Sequence, residues 1–179
     1  MPVQIGAKSH PFSDPTGLLT DCHRRIEMFM RTLQQAGDVI HQPPTDDVRS
    51  SLEAALRYFE HAAPKHTADE EASLFPRMRQ IDNPQVRSAF EQLDDLEADH
   101  RTAASLHAEV DILGRRYLAE GTLSETDIRQ FRQDVAQLLS IYERHIKVED
   151  DVVFPLAATL LPDEQKSAIA AEMASRRQS

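Results

Sequence analysis

Apolar residues recur at spacings of three and four along most of the chain, which is the period of an amphipathic α-helix. The predicted helices cover approximately residues 16–40, 46–79, 84–119, 124–154 and 162–177. Because short loops join the four long helices, sequential neighbours are expected to be antiparallel. The predicted fold is therefore all-α: an up-down-up-down antiparallel four-helix bundle with a short additional C-terminal helix.

Proline and short polar residues mark where these helices bend and end. Pro64 lacks a backbone donor and clashes with the preceding turn, so a kink or break is expected at residues 60–64. Pro155 is expected to kink or end the fourth long helix, and Ser124 with Asp127 resembles a capping box at its start. The predicted organisation is an irregular arm over residues 1–15, the bundle over residues 16–160, and a C-terminal helix over residues 161–179 that packs on the bundle.

One motif occurs twice, as HTADEEASLFP from His66 and as HIKVEDDVVFP from His145. In each copy a glutamate, Glu70 or Glu149, follows the histidine by four residues. On a helix this spacing places the two side chains one above the other on the same face. An imidazole and a carboxylate in this arrangement can reach the same metal ion.

Two further histidines extend the repeat to the remaining long helices. His23 and the arginine after it are matched by His100 and its following arginine, and His23 lies among the apolar positions of its helix. The residues predicted to converge in the bundle are His23, His66, Glu70, His100, His145 and Glu149. If two metal ions share both carboxylates and one solvent oxygen, and each takes two histidines, a six-coordinate metal keeps an open position.

The ligand chemistry narrows the choice of metal. Mixed imidazole and carboxylate ligands suit iron or manganese, and the lack of thiolate ligands makes structural zinc a poorer fit, so iron is expected. Glu71 and Asp150 are competing candidate ligands because each adjoins a motif glutamate. Symmetry between the two copies favours Glu149, and spacing favours Glu70.

Composition limits the compartment and the partners. The 179 residues suit one domain, and a net charge of −10 argues against nucleic acid or an anionic membrane as a partner. With Cys22 as the sole cysteine, an internal disulfide is excluded. Neither a signal-peptide core nor an apolar run of transmembrane length is present, so a cytoplasmic location is expected.

Taken together, these features resemble the hemerythrin HHE cation-binding domain family. The resemblance rests on the lone histidines, on the two His-x-x-x-Glu motifs and on the Phe-Pro after each motif, and it covers roughly residues 16–160. It implies a hemerythrin-like bundle around a non-haem di-iron centre, with two iron ions bridged by an oxo or hydroxo group and with manganese or zinc as substitutes. The family includes oxygen carriers, sensors of oxygen, redox state or iron, and proteins of iron–sulfur cluster repair.

The resemblance implies a metal-binding protein that binds oxygen or nitric oxide, or senses redox state or iron, through the open metal position. Ala104 departs from the carrier pattern, which has a second histidine four residues after the third-helix ligand. The single Cys22 departs from the cluster-repair branch, which usually carries an N-terminal cysteine-bearing module. Two alternatives stay open: an enzyme-like di-iron role in peroxide or nitric oxide breakdown or in cluster repair, and a metal-free helical interaction protein.

The other candidate polar residues are expected to lie outside the metal site. His107 shares a face with the third-helix ligand but lies about 10 Å further along, which favours a role in the core or at an entrance. His61 is five residues before His66 and normally off its face. Tyr142 is expected to be core or a hydrogen-bond partner of His145, and Cys22 a small buried apolar residue. The histidines expected to be exposed are His10 and His41.

Overall fold

The computed structural model describes residue 10 and residues 13–178, with the backbone alone for residues 92–97. This part of the chain is all-helical and contains no β-strand. Its α-helices are α1 (Pro15–Val39), α2 (Asp46–His61), α3 (Ala63–Asp69), α4 (Phe75–Met78), α5 (Pro84–Glu120), α6 (Glu125–Val148), α7 (Phe154–Leu160) and α8 (Asp163–Gln178). None of these helices combines the length with the apolar character that crossing a bilayer requires. The all-α prediction is confirmed.

The start of α1 is fixed by its own side chains. Oδ1 of Asp14 accepts the backbone N–H of Gly17 at 3.0 Å, and Pro15, as the first helical residue, has no N–H to leave unpaired. The helix therefore begins one residue earlier than predicted. The irregular arm predicted for residues 1–15 lies mostly outside the described residues and stays a prediction.

Caps define the ends of the other long helices. The hydroxyl of Thr45 accepts the N–H of Val48 at 3.3 Å, and that of Ser124 accepts the N–H of Asp127 at 3.1 Å. The predicted capping role of Ser124 is therefore observed. Gly121 ends α5 with a φ of 75°, a left-handed conformation that residues with a Cβ adopt only at a steric cost.

The two prolines act differently on their helices. The break expected near Pro64 is present, since α2 ends at His61 and α3 begins at Ala63. Pro155 does not end its helix, because α7 continues past it to Leu160. The departure from α-helical geometry comes before this proline, in a π-helical turn.

Both motif copies contain such a turn: the first π turn is Glu70–Leu74 and the second is Glu149–Val153. Each closes with a hydrogen bond five residues long, from the N–H of Phe75 to the carbonyl of Glu70 and from the N–H of Phe154 to that of Glu149. Single π turns inside α-helices are rare and occur frequently at functional sites. The proline that follows each turn adds a residue with no N–H to pair.

The apolar interior forms two clusters. The larger is built from α1, α2, α5 and α6, and its most buried side chains include Met30, Leu33, Ile40, Leu52, Tyr117 and Phe131. The smaller joins the start of α1 to α4, α7 and α8, and includes Leu19, Leu74, Phe75, Val153, Ile169 and Met173. Burying one large side chain of this kind contributes roughly 1.5–3 kcal/mol. Along α1, Leu19 belongs to the smaller cluster and Ile26 to the larger, and His23 lies between them.

Side-chain contacts tie the long helices to one another. They join Arg132 of α6 to the carbonyl of Gly37 in α1 (2.7 Å), Arg115 of α5 to Glu60 of α2 (2.6 Å), Arg144 of α6 to Asp99 of α5 (2.6 Å), and the rings of Phe29 in α1 and Tyr58 in α2 (centroids 4.5 Å apart). Each of these helices therefore has two of the others as neighbours.

The last helix is attached to α3 by a buried ion cluster. Asp69 is completely buried, and its two carboxylate oxygens accept hydrogen bonds from Arg176 at 2.8 Å and from Arg177 at 2.7 Å. A buried carboxylate requires such partners, because removing an unpaired charge from water costs several kcal/mol. These contacts place the end of α8 directly beside the first π turn.

Candidate metal centre

The six predicted ligands lie between the two apolar clusters. They are His23 on α1, His66 on α3, Glu70 at the start of the first π turn, His100 on α5, His145 on α6 and Glu149 at the start of the second π turn. Five of the six are buried and His100 is partly buried. The structure therefore brings together every residue that the sequence predicts for the site.

These side chains form two groups that can each hold a metal ion. The first group is His23, His66, Glu70 and Glu149, and the second is Glu70, His100, His145 and Glu149. Within each group, one nitrogen or oxygen from every residue lies within 4.8 Å of the others. Both carboxylates belong to both groups, which is the arrangement expected of two bridging ligands.

The imidazole nitrogens face the carboxylates at short distances. Nε2 of His66 lies 3.1 Å from Glu70, and Nε2 of His145 lies 3.1 Å from Glu149. Nε2 of His23 is 3.1 Å from Glu149. Nε2 of His100 is 3.5 Å from Glu70 and 2.9 Å from Nε2 of His145. All four histidines thus direct the same ring nitrogen, Nε2, into one small volume.

Although these nitrogens are close to the carboxylates, none of them makes a hydrogen bond of regular geometry with either one. In the described part of the chain, both oxygens of Glu70 and both oxygens of Glu149 are buried without a hydrogen-bond partner, and so is Nε2 of His23. Leaving such groups unpaired is costly, and native proteins rarely do so. A pair of cations would satisfy all five atoms, so the residues present fit a two-metal centre.

The pKa values of the two carboxyls are shifted in opposite directions. Burial, reinforced by the charge of Glu149, raises the pKa of Glu70 well above its ordinary value. Burial acts on Glu149 in the same direction, but His145 and His23 outweigh it, so the pKa of Glu149 is lowered. Bound metal ions would favour the ionised form of both carboxyls.

The histidines divide into two kinds. Burial lowers the pKa of His66 and that of His100, which keeps both rings in the neutral form that binds a metal. Burial also acts to lower the pKa of His23, but Asp150 and the two buried glutamates outweigh it, and the pKa is raised. For His145 the charge of Glu149 has the same result. Protons and metal ions therefore compete for these nitrogens.

The two competing carboxylates lie outside the ligand groups. Oδ1 of Asp150 is 2.9 Å from Nδ1 of His23, and Oε1 of Glu71 is 2.7 Å from Nδ1 of His100. A carboxylate on the outer nitrogen fixes the tautomer and the orientation of a metal-binding imidazole. Neither joins the groups defined above, which favours Glu70 and Glu149 as the sequence did.

The remaining candidate residues are placed as follows. His107 is partly buried, and its Nε2 is 3.0 Å from the hydroxyl of Tyr142, so that tyrosine contacts His107 rather than a ligand histidine. The side chain of His61 is 66% exposed and takes no part in the site. Cys22 is buried, as expected, and its sulfur accepts a hydrogen bond from Arg25 at 3.2 Å. His10 and His41 are exposed, as expected.

Two features of the site are not predicted by the sequence pattern. The π turns are invisible to an analysis that assumes a constant helical period, although the proline six residues after each motif glutamate is a signal for them. The pairing of Asp69 with α8 is equally hidden, because it joins residues 107 and 108 positions apart in the chain.

The residues of the site lie within the part of the chain that matches a protein-family model. Residues 14–157 match the family model of the hemerythrin HHE cation binding domain, and this segment includes all six residues of the two groups. The chain belongs to the hemerythrin HHE cation-binding family. A relative of this family member is an uncharacterized protein of Haemophilus influenzae, which is 27% identical over 173 residues that span 93% of this chain and 92% of the relative.

Membership in the hemerythrin HHE family confirms the resemblance seen in the sequence. The family description implies a cation-binding protein, and the two His/Glu groups are where this family member can hold its cations.

Proposed function

We propose that this hemerythrin-family protein holds a pair of iron ions between its two apolar clusters. The observation that carries the proposal is that two metal-binding groups share both of their carboxylates, Glu70 and Glu149. In this assignment His23 and His66 bind one ion, and His100 and His145 bind the other. Glu70 and Glu149, which belong to both groups, would hold both ions.

The donor set supports iron over other metals. Four imidazoles and two carboxylates suit iron or manganese, whereas thiolates would be expected at a structural zinc site. The thiol of Cys22 belongs to neither group, although Cys22 adjoins His23 in the chain. Manganese and zinc are the substitutes against which iron should be tested.

The function we infer is binding of a small diatomic ligand, oxygen or nitric oxide, or sensing of redox or iron state. When bound, a pair of iron ions supplies reversible ligand binding and electron exchange. Apolar side chains of the two clusters lie on either side of the proposed pair, and the ring of Phe154 stacks on His23 with centroids 5.1 Å apart. Ala104 stands where carriers of the family have a further histidine, which favours sensing over oxygen transport.

We also infer the up-down-up-down topology for the four long elements. Arg24, in the first half of α1, contacts Asp150 in the π turn that follows α6. Gly37, near the end of α1, contacts Arg132 in the first part of α6. Between α5 and α6, Arg116 pairs with Asp127 and Asp99 with Arg144. Contacts in which one residue number rises while the other falls support antiparallel neighbours.

Metal analysis of two variants tests the function. The purified protein should contain about two iron ions per chain, one for each ligand group, and His66→Ala should lose iron. His61→Ala is the matched control, since this exposed histidine lies five residues before His66 in the chain and belongs to neither group. Absence of iron after expression in iron-rich medium, or equal iron in both variants, would contradict the proposal.

A further inference from the structure

Two cavities of very different size adjoin at the site. The chamber lined by the four ligand histidines has a volume of about 10 Å³. The neighbouring cavity, which we call the side cavity, has a volume of about 390 Å³ and lies between α2, α3 and α5. The two share Ala63, Thr67, His100 and Tyr142 as lining residues. The side cavity therefore extends to a ligand histidine.

The size of the side cavity exceeds what a diatomic molecule needs. A water molecule occupies about 30 Å³ in the liquid, and a diatomic gas is of similar size. Pockets that bind small organic molecules measure about 300–1,000 Å³, and the side cavity lies within that range. Its dimensions are those of an organic ligand.

The lining of the side cavity is mostly apolar, and His107 and Tyr142 form a hydrogen-bonded polar pair within it. Leu33, Phe59, Ala103 and Val110 contribute apolar surface, and Ala103 is 4% exposed. The ring of His107 stacks on Phe59 with centroids 4.1 Å apart, and its Nε2 meets the hydroxyl of Tyr142 at 3.0 Å. A phenol hydroxyl can both donate and accept, so the bond to His107 leaves Tyr142 able to bond a ligand.

Charged groups at the cavity carry no excess of positive charge. Glu60 and Asp111 belong to its lining, and Arg115 bonds to both, at 2.6 Å and 2.8 Å. Two carboxylates and one guanidinium disfavour an anion. Burial of an ionised ligand among apolar side chains would be costly in any case.

We propose that the side cavity binds an uncharged, mainly apolar organic molecule that carries one hydroxyl or amino group, and that Tyr142 bonds this group. Binding itself needs no metal. If the di-iron function proposed above holds, the bound molecule would also lie close to a metal ion, separated from it by the ring of His100. This consequence rests on that function.

The test uses 2-naphthol as the probe. Its binding to the purified protein is measured by calorimetry, and the iron content of the same samples is measured alongside. Ala103→Phe reduces the volume of the side cavity, and Tyr142→Phe removes the hydroxyl while keeping the ring. Ser105→Phe is the control, because Ser105 is exposed on the same helix and does not line the cavity. The anion 2-naphthoate tests the charge requirement.

We expect one 2-naphthol per chain. Ala103→Phe should weaken binding by about tenfold or more. Tyr142→Phe should weaken it about threefold to tenfold, the value of one hydrogen bond. Ser105→Phe should leave it unchanged, and 2-naphthoate should bind far more weakly. If circular dichroism shows that Ala103→Phe does not fold, the affinity of Tyr142→Phe for 2-naphthol becomes the test of the cavity proposal.

Three results would overturn the proposal: no binding of 2-naphthol, equal binding to the cavity variants and the Ser105 control, or equal affinity for 2-naphthoate. The iron measurement separates the two proposals. If the purified protein binds 2-naphthol but contains no iron, the result supports the cavity proposal and counts against the di-iron function. If the purified protein contains iron but does not bind 2-naphthol, the result supports the di-iron function and counts against the cavity proposal.

Discussion

Oδ1 of Asp150 lies 2.9 Å from Nδ1 of His23, so a carboxylate outside the ligand groups orients an imidazole within them. The far side of the same ring directs Nε2 to Glu149 at 3.1 Å. Asp150 is itself held in place by Arg24 and by the hydroxyl of Thr20 at 3.2 Å. Glu149 and Asp150, which are adjacent in the second π turn, thus contact the two different ring nitrogens of His23.

This relationship predicts that Asp150→Ala weakens iron binding without removing a ligand. Loss of a carboxylate that orients a metal-binding histidine typically costs 10–100-fold in metal affinity, so a loss of about that size is expected. Competition with a chelator of known affinity measures it. Asp151→Ala is the control, since Asp151 is exposed and pairs with Lys147. Equal affinity in the two variants would show that Asp150 has no orienting role.

The sharing of Glu70 predicts an effect on both metal ions at once. Glu70→Gln should reduce iron to well below one ion per chain, because both ligand groups lose an anionic oxygen. Glu71→Gln should keep nearly all of its iron, because the amide oxygen of glutamine can still accept a hydrogen bond from the outer nitrogen of His100 and neither group loses a ligand. Iron analysis of both purified variants provides the comparison. Retention of a full complement by Glu70→Gln would rule out a bridging role.

The buried carboxylate of Asp69 predicts a large contribution of α8 to stability. Replacing both Arg176 and Arg177 by Gln leaves a fully buried carboxylate without a cation, so the free energy of unfolding should fall by about 3–5 kcal/mol. Urea denaturation at matched iron content measures this change. Arg129→Gln, which removes an exposed pair with Glu125 at 3.9 Å, should change it by less than about 1 kcal/mol. Similar values for both changes would contradict the buried-pair account.

The buried ring of His107 predicts a pH dependence. Burial lowers the pKa of His107 from 6.5 to about 4, so below pH 6.5 the unfolded chain binds a proton that the folded chain does not. Its contribution to stability is therefore complete above pH 6.5 and is lost as the pH falls towards 4, by roughly 3 kcal/mol in all.

His107→Phe isolates this effect, because the metal ligands titrate in both proteins and their contribution cancels in the difference. The variant keeps a ring against Phe59 and cannot be protonated. Unfolding by urea at several pH values should show the wild type losing stability faster than the variant between pH 6.5 and 4. Parallel losses in the two proteins would show that His107 is not responsible. Glu60 and Asp111 line the same cavity and are present in both proteins.

The helices and the six site residues follow from the sequence because both depend on short spacings. A period near 3.6 places His66 over Glu70 and His145 over Glu149 wherever the backbone is helical. The position of Pro64 likewise locates the break between α2 and α3. Spacing favours Glu70 over Glu71 and symmetry favours Glu149 over Asp150. The structure adds that Glu71 and Asp150 contact the outer nitrogens of His100 and His23.

The features that the sequence pattern does not predict depend on irregular geometry or on distant residues. A π turn changes the helical period by one residue, so no constant period reveals it. The helix does not end at Pro155, since α7 continues to Leu160. The side cavity is formed by residues from α1, α2, α3, α5 and α6, and apart from His100 and Thr67 its lining residues belong to none of the motifs seen in the sequence.

The most direct test of the central claim is the magnetic state of the iron in the oxidised protein. Two iron ions that share the bridging carboxylates Glu70 and Glu149 should couple antiferromagnetically, so a sample with about two iron ions per chain should give almost no electron paramagnetic resonance signal. Oxidised protein that contains one iron per chain, or that gives the full signal of isolated high-spin ferric ions, would contradict the shared site.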